Sequence, residues 1–224
     1  MSIQDREYHV SASRTFRIIR DLYGLSHKIV FDIGCGFGEY LRFFGEESIG
    51  ITTTQDEIEY GKKNGLHIIF GNAEWLENIS LHDRFDAIWA NNLFEHLLSP
   101  HAFLMKLKNV SHSETLIILG VPVVPKFVSL ISFRQFRGIL ATNHINFFTY
   151  TTLRLTVERA GWTVRAARPF LFKNMLLDRL AAPFAPHIYV VAANNPDFKY
   201  PPKKVGEWIA DAHYQELLSI TRQI

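Results

Sequence analysis

The feature that most narrows the fold is a strand that runs directly into a glycine loop. Residues 28–33 (KIVFDI) are a short apolar run of the kind a buried parallel strand shows, and Gly34-Cys35-Gly36-Phe37-Gly38 follows without a spacer. Glycine at every second position lets the backbone turn sharply and lets a ligand approach the main chain closely. A dinucleotide fingerprint needs a glycine where Glu39 stands, and the Glu39 side chain would crowd the helix–strand packing that glycine permits. The loop also lacks the Lys and Ser/Thr of a phosphate-binding P-loop. It therefore suits a nucleoside ligand without a pyrophosphate.

The rest of the chain alternates in the same style. Apolar runs at 48–52, 67–70, 85–90, 115–121, 163–169 and 188–193 read as further strands. Between them lie helical segments: residues 13–24, a helix from the glycine loop to about Phe44, one after Thr54, one from Ser99 to about Val110, and 151–160. Thr54 with Glu57 three positions on is a capping-box pattern, and Ser99-Pro100 pairs a cap with a first-turn proline. Residues 71–84 read as a loop with a short turn. The pattern predicts an α/β fold, a doubly wound, mostly parallel seven-stranded sheet with helices on both faces, and a ligand site outside the carboxyl ends of the strands. Residues 1–27 are expected to form a helical lid, 28–193 the ligand-binding domain with 122–149 inserted over the site, and 194–224 a tail with a helix.

Composition sets outer limits. The 224 residues suffice for one substantial core, and 47% hydrophobic with 21% charged residues is ordinary for a globular protein. A net charge of +2 does not call for a nucleic-acid partner. Cys35 stands alone, so no internal disulfide framework forms. Met1 to Glu7 lacks the apolar core of a signal peptide, and 115–124 is too short to span a bilayer. The expectation is a cytoplasmic protein without a transmembrane segment.

Four segments carry a family resemblance. VFDIGCGFG (30–38) resembles the first motif of class I S-adenosylmethionine-dependent methyltransferases. In order after it, Gly71-Asn72-Ala73-Glu74 is similar to that family's adenine-contacting loop, and RFDAIWANNLFEHL (84–97) to its fourth strand and active-site edge. His144 to Thr149, with a helix and Ala160-Gly161-Trp162 after it, resembles the segment following the fifth strand in the small-molecule branch. The resemblance implies a Rossmann-like fold, S-adenosylmethionine as cofactor and a small-molecule methyl acceptor. It implies that Asp32 and the backbone at Gly34 and Gly36, with Cys35 and Gly38 completing the loop, hold the methionine end of the cofactor. Asn72 would reach the adenine amino group with the Ala73 amide nearby, and Asn91 would face the sulfonium. Two positions depart from the pattern. Thr52 stands where the family usually has an acid for both ribose hydroxyls, with Gln55 or Glu57 as helpers, and Asn72 stands where Asp is common. The lineage of lipid cyclopropane synthases also has threonine near the first of these.

Methyl transfer from a sulfonium asks the protein chiefly to position the acceptor and exclude water. A hydroxyl or protonated amine acceptor also needs a base, and the candidates are His144, His96 and Glu95. The alternatives are a loop histidine bonded to backbone for His144, a capping or packing residue for His96, and a favourable acid at a helix start for Glu95. Cys35 reads as a small loop residue. The other histidines pair with no cysteine or carboxylate at metal-ligand spacing, so no metal is expected. Arg14, Arg17 and Arg20 form a basic stripe, either a solvated face or a contact for an anionic substrate, and Trp75 either covers the adenine or packs.

Segment 122–149 mixes Phe127, Val128, Leu130, Ile131, Phe133, Phe136, Ile139 and Leu140 with Lys126, Arg134 and Arg137, which suits either extra packing or a dimer contact, or an apolar, lipid-like acceptor with peripheral membrane contact. Competing functions are a nucleic-acid methyltransferase, disfavoured because Asn91-Asn92-Leu93-Phe94 lacks the Pro-Pro-aromatic motif of amino-methylating enzymes, and a degenerate fold that binds the cofactor without catalysis.

Overall fold

The computed structural model describes residues 2–79 and 85–210, so Arg84 and the end of the C-terminal tail lie outside the described residues. Eight strands are present: β1 (Val30–Ile33), β2 (Ile49–Thr52), β3 (Ile68–Phe70), β4 (Phe85–Asn91), β5 (Ser111–Val124), β6 (Phe148–Thr149), β7 (Trp162–Arg168) and β8 (His187–Asn194). Seven follow the order β3-β2-β1-β4-β5-β8-β7, and β6 pairs with the end of β5. Pairing is parallel from β3 through β5, and only β8 runs antiparallel to its neighbours β5 and β7. The chain winds outward from β1 to β3, then returns to the other side of β1 as β4. That reversal opens a crevice beyond the carboxyl ends of β1 and β4, where an open α/β sheet takes its ligand.

The helices are α1 (Ile3–Ala12), α2 (Arg14–Tyr23), α3 (Gln55–Lys63), α4 (Pro100–Leu107), α5 (Tyr150–Arg159), α6 (Met175–Ala181) and α7 (Pro202–Ala210). Two apolar cores form, one on each face of the sheet. Phe31, Ile88, Phe103, Leu107, Leu153 and Trp162 belong to one, with α4 and α5. Phe16, Ile19, Ile58, Trp89, Ile118 and Val191 belong to the other, with α2 and α3. From Ala87 to Ala90 alternate residues of β4 therefore enter opposite cores, which is why that stretch is continuously apolar.

The helix expected between the glycine loop and Phe44 does not form; turns lead into one short 3₁₀ turn, Leu41–Phe43. The chain enters this stretch with Gly34, Gly36 and Gly38 all at positive φ, which a right-handed helix cannot use. α2 covers the sheet here instead. Phe16 packs edge-on against Tyr40, Phe43, Phe44 and Trp89 at centroid distances of 5.0 to 6.0 Å. The lid region is likewise tied down: Glu7 of α1 pairs with Arg42 at 2.8 Å and accepts from the Tyr60 hydroxyl at 2.9 Å.

α6, which the sequence pattern did not announce, hangs on a buried ion pair. Arg168 Nη1 lies 3.0 Å from Asp178 Oδ2, and Asp178 Oδ1 accepts from the Leu171 and Phe172 N–H groups at 2.9 and 3.0 Å. Among the described residues no helix is long and apolar enough to cross a membrane. Breaking a buried pair strands the remaining charge. Asp178→Ala should therefore lower unfolding free energy by about 3 kcal/mol, read from urea denaturation midpoints at constant slope.

Candidate active site

The glycine loop is fastened to the end of β2. The N–H groups of Gly34 and Cys35 both donate to the Ile51 carbonyl at 3.0 Å, and Gly38 N–H donates to Cys35 O at 2.9 Å. The first two amides are thus spent on the fold, and the loop offers a ligand its open side and close backbone approach. A Cβ on Gly36 would meet Glu39 Oε2 at 2.9 Å, so Glu39 folds back over the loop. Gly38 lies against Leu66 and Ile68 and closes the loop's underside. Arg6 of α1 reaches Glu39 at 3.6 Å and sits over the Phe37 ring, which brings α1 across this edge of the crevice. Cys35 is buried, its thiol raised far above the usual range by burial and then by the Asp32, Glu57 and Glu39 carboxylates, and it packs under Gly50. It has no nucleophile character.

Asp32 sits at the end of β1, 2% exposed, with Oδ2 lacking a protein partner. Burial, helped by Glu39, holds its carboxyl well above the ordinary carboxylate value. A buried carboxyl oxygen without a hydrogen-bond partner is costly to the fold. Asn91 ends β4 with Nδ2 donating to the Tyr40 hydroxyl at 3.1 Å, while its buried Oδ1 also lacks a partner. Gly120 on the neighbouring strand makes room for it, since a Cβ there would stand 2.1 Å from Asn91 Oδ1. Next to it Asn92, at φ 52°, accepts from His187 Nε2 at 2.9 Å. Burial pushes His187 down to about 4, so the ring is neutral and donating.

Thr52, at the end of β2, donates its hydroxyl to the Glu57 carboxylate. This replaces the capping box read from the sequence: Thr54 is the N-cap of α3 but makes no side-chain cap bond. Glu57 turns to the strand end instead, and a carboxylate arrives where the strand itself has none. Asn72 Oδ1 accepts from Glu74 N–H at 2.8 Å and so caps the short helix that begins at Ala73. Lys106 covers one face of the Trp75 ring at 4.8 Å, which favours packing over stacking for that face.

The three candidate bases meet. Glu95 and His96 lie on a 3₁₀ turn after β4, and His144 comes from the segment after β5. Nε2 of His96 and Nε2 of His144 each stand 3.8 Å from Glu95 Oε1. Glu95 is 1% exposed, neither of its oxygens has a hydrogen-bond partner among the described residues, and burial raises its carboxyl above the usual value against the pull of its own backbone and both histidines. The His144 segment is stitched to the turn: Ile145 and Asn146 N–H groups donate to Glu95 O at 3.1 and 3.0 Å, and Asn146 Nδ2 donates to Leu97 O at 2.6 Å. Sequence spacing offered no metal ligands, yet these side chains form a cluster of metal-binding type among the described residues. Tyr40, Gly120 and His187 also join the site. They come from distant segments, and nothing local in the sequence marks them.

A Rossmann-like sheet with an open glycine loop after β1 and polar groups at the end of β4 defines a nucleoside-cofactor transferase site. A family model described as a methyltransferase domain matches residues 9–167, and the chain belongs to this family of S-adenosylmethionine-dependent methyltransferases, with S-adenosylmethionine as cofactor. No curated protein sequence matches the chain. Similar solved structures include a methyltransferase from Archaeoglobus fulgidus described as SAM-dependent, 18% identical with TM-score 0.59 over 84% of this chain and 98% of that one. Another is the Mesorhizobium loti S-adenosylmethionine-dependent methyltransferase, 14% identical with TM-score 0.59 over 83% and 100%. A third is a chain from the complex between the Haloferax volcanii Trm112 methyltransferase activator and a methyltransferase, 12% identical with TM-score 0.62 over 87% and 95%. At such identities the likeness speaks for the fold.

The depressed His187 has a sign that can be read in solution. Unfolded histidine titrates near 6.5, so as pH falls the unfolded chain takes the proton first. The stability tied to neutral His187 is complete above pH 6.5 and is lost as pH falls toward about 4. His187→Asn should flatten the fall of the denaturant midpoint across that window.

Proposed function

We propose that this chain transfers a methyl group from S-adenosylmethionine to a small molecule with an apolar, lipid-like body. The observation that carries this reading is an exposed apolar rim on the insertion whose Ile145 N–H is bonded to Glu95 O after β4. Phe127, Phe133, Leu140, Ile145 and Phe147 of the 122–149 insertion are all exposed, whereas Phe136 and Ile139 are buried and anchor it. Met175, Leu176, Leu177 and Leu180 of α6 are exposed too. The insertion touches the turn that follows α6: Phe127 stacks on Phe184 at 5.5 Å and Lys126 N–H donates to Pro183 O at 3.3 Å. Exposed apolar surface of this kind marks an interaction site rather than a solvated face. Beside α6, Arg14, Arg17, Asp21, Phe172, Lys173 and Leu177 border a cavity of about 530 Å³. Its excess of cations suits a negatively charged end on the acceptor, and this favours the contact reading of the basic stripe for Arg14 and Arg17; Arg20 instead pairs with Asp21 at 2.7 Å.

The residues at the strand ends fit the cofactor. The buried, partnerless oxygen of Asp32 and the open glycine loop suit its methionine end, and the Thr52–Glu57 pair supplies acceptors for ribose hydroxyls. Asn72 and Ala73 line the adenine side, and Asn91 the methyl-bearing end. When bound, the cofactor supplies an activated methyl on a sulfonium. The chain's part is to exclude water through the apolar rim, with residues 1–27 as lid, and to hold the acceptor's polar end against Glu95, His96 and His144.

Two measurements test this. S-adenosylmethionine and S-adenosylhomocysteine should raise the thermal midpoint of the wild type, NADH should not, and Gly36→Val should remove the shift because a side chain at positive φ also collides with Glu39. A retained shift in that variant would move the cofactor site elsewhere. In sedimentation with anionic phospholipid vesicles, Phe133→Ser combined with Leu176→Ser should weaken binding about tenfold and leave the S-adenosylhomocysteine shift unchanged. Failure of the wild type to bind such vesicles would count against a membrane-held acceptor.

A further inference from the structure

The geometry points to a divalent transition-metal site formed by Glu95, His96 and His144. Their ligand atoms all lie within 4.8 Å of one another. The two 3.8 Å approaches to Glu95 Oε1 are too long for hydrogen bonds, so the three groups do not satisfy each other. Ligands sharing one ion at about 2.1 Å stand roughly 3.0–3.5 Å apart, so atoms within 4.8 Å of one another close on an ion by side-chain shifts on the order of an ångström.

Both imidazoles are already set for ligation. His96 Nδ1 donates to Asn143 O at 2.9 Å and His144 Nδ1 donates to Ile139 O at 3.0 Å. A carbonyl only accepts, so in the neutral rings the proton sits on Nδ1 and the Nε2 lone pair faces the carboxylate. Backbone carbonyls hold metal-ligating histidines in this way. Glu95 supplies the independent second observation: 1% exposed, with both oxygens lacking a partner among the described residues. A carboxylate buried without compensation is costly, and a cation between the three side chains removes that cost. Two imidazoles with one carboxylate suit the zinc, cobalt, iron and manganese class rather than magnesium or calcium, which favour oxygen ligands.

Three protein ligands leave coordination positions open, as catalytic metal sites do. Leu93, two residues before Glu95, is the side chain that a Cβ on Gly34 would touch at 3.3 Å, so the cluster lies close to the glycine loop. An ion held there offers its open positions to an acceptor carrying an oxygen donor such as a hydroxyl. This last step rests on the proposed transfer reaction; metal binding itself does not.

The full chain is stripped with a chelator and titrated with Co²⁺. Visible ligand-field bands saturating at one ion per chain are expected in the wild type. Glu95→Gln, His96→Asn and His144→Asn should each weaken Co²⁺ binding by about 100-fold or more. Asparagine keeps a donor near the Nδ1 position and discards Nε2, so a purely structural histidine would be rescued and a ligand would not. The S-adenosylhomocysteine thermal shift, run in parallel on every variant, reports an intact fold and cofactor crevice. Absence of bands in the wild type, or bands unchanged in all three variants, overturns the site. Loss of bands in the variants with no cofactor shift in any protein upholds the metal site and instead rejects the cofactor assignment.

Discussion

Two N–H groups on one carbonyl fix the working end of this molecule. Gly34 and Cys35 both donate to Ile51 O, so the loop leaving β1 is pinned to the end of β2. Everything beyond the strand ends takes its position from that anchor. Asp32 is held in the floor of the crevice and Leu93 seats over Gly34. The Thr52–Glu57 pair stands one residue past the accepting carbonyl. A loop pinned at its first two amides can afford glycine at the next positions without losing its shape.

Around the crevice the chain divides its chemistry sharply. One side carries an apolar rim whose exposed leucines and phenylalanines gain nothing from water. That rim is not loose: α6 is tied to β7 through Asp178, which satisfies Arg168 and two backbone N–H groups at once. A buried charge thus holds an exposed greasy surface in place, an arrangement that conformational economy alone does not explain. Joined to it through Ile145, whose N–H donates to Glu95 O, the Glu95 cluster holds a side chain with both oxygens buried and lacking a hydrogen-bond partner among the described residues. An acceptor with an apolar body and one polar reacting end matches both halves.

The departures from the family pattern read differently in three dimensions. Thr52 in place of an acid looked like a weakened ribose contact, but Glu57 leaves the helix cap to reach it, and strand and helix together restore the missing charge. The cost falls on the start of α3, whose cap bond is not made. The glycine loop, too, leads into turns where a helix was expected, because Gly34, Gly36 and Gly38 sit at positive φ, and Phe16 of α2 packs on Phe43 and Phe44 there. The Thr54–Glu57 spacing suits a cap as well as it suits a bond to Thr52, and Phe16 comes from a segment outside the local window, so periodicity alone reports neither outcome.

The sequence by itself determined the sheet. Continuous apolar runs closed by glycine, caps and short connections identify buried parallel strands alternating with helices, and these signals are local, so they survive without knowledge of the fold. The glycine loop, Asp32 and Asn91 were legible for the same reason: they are tied to strand ends that the pattern locates. Only the tertiary structure decided that Glu95 and His96 meet His144, that α6 presents its leucines outward, and that Tyr40 and Gly120 stand against Asn91 and His187 against Asn92. Each of these depends on bringing together side chains separated along the chain, and burial then sets their chemistry. Spacing in sequence cannot report that, because desolvation and close approach come into being only when the sheet closes on its helices.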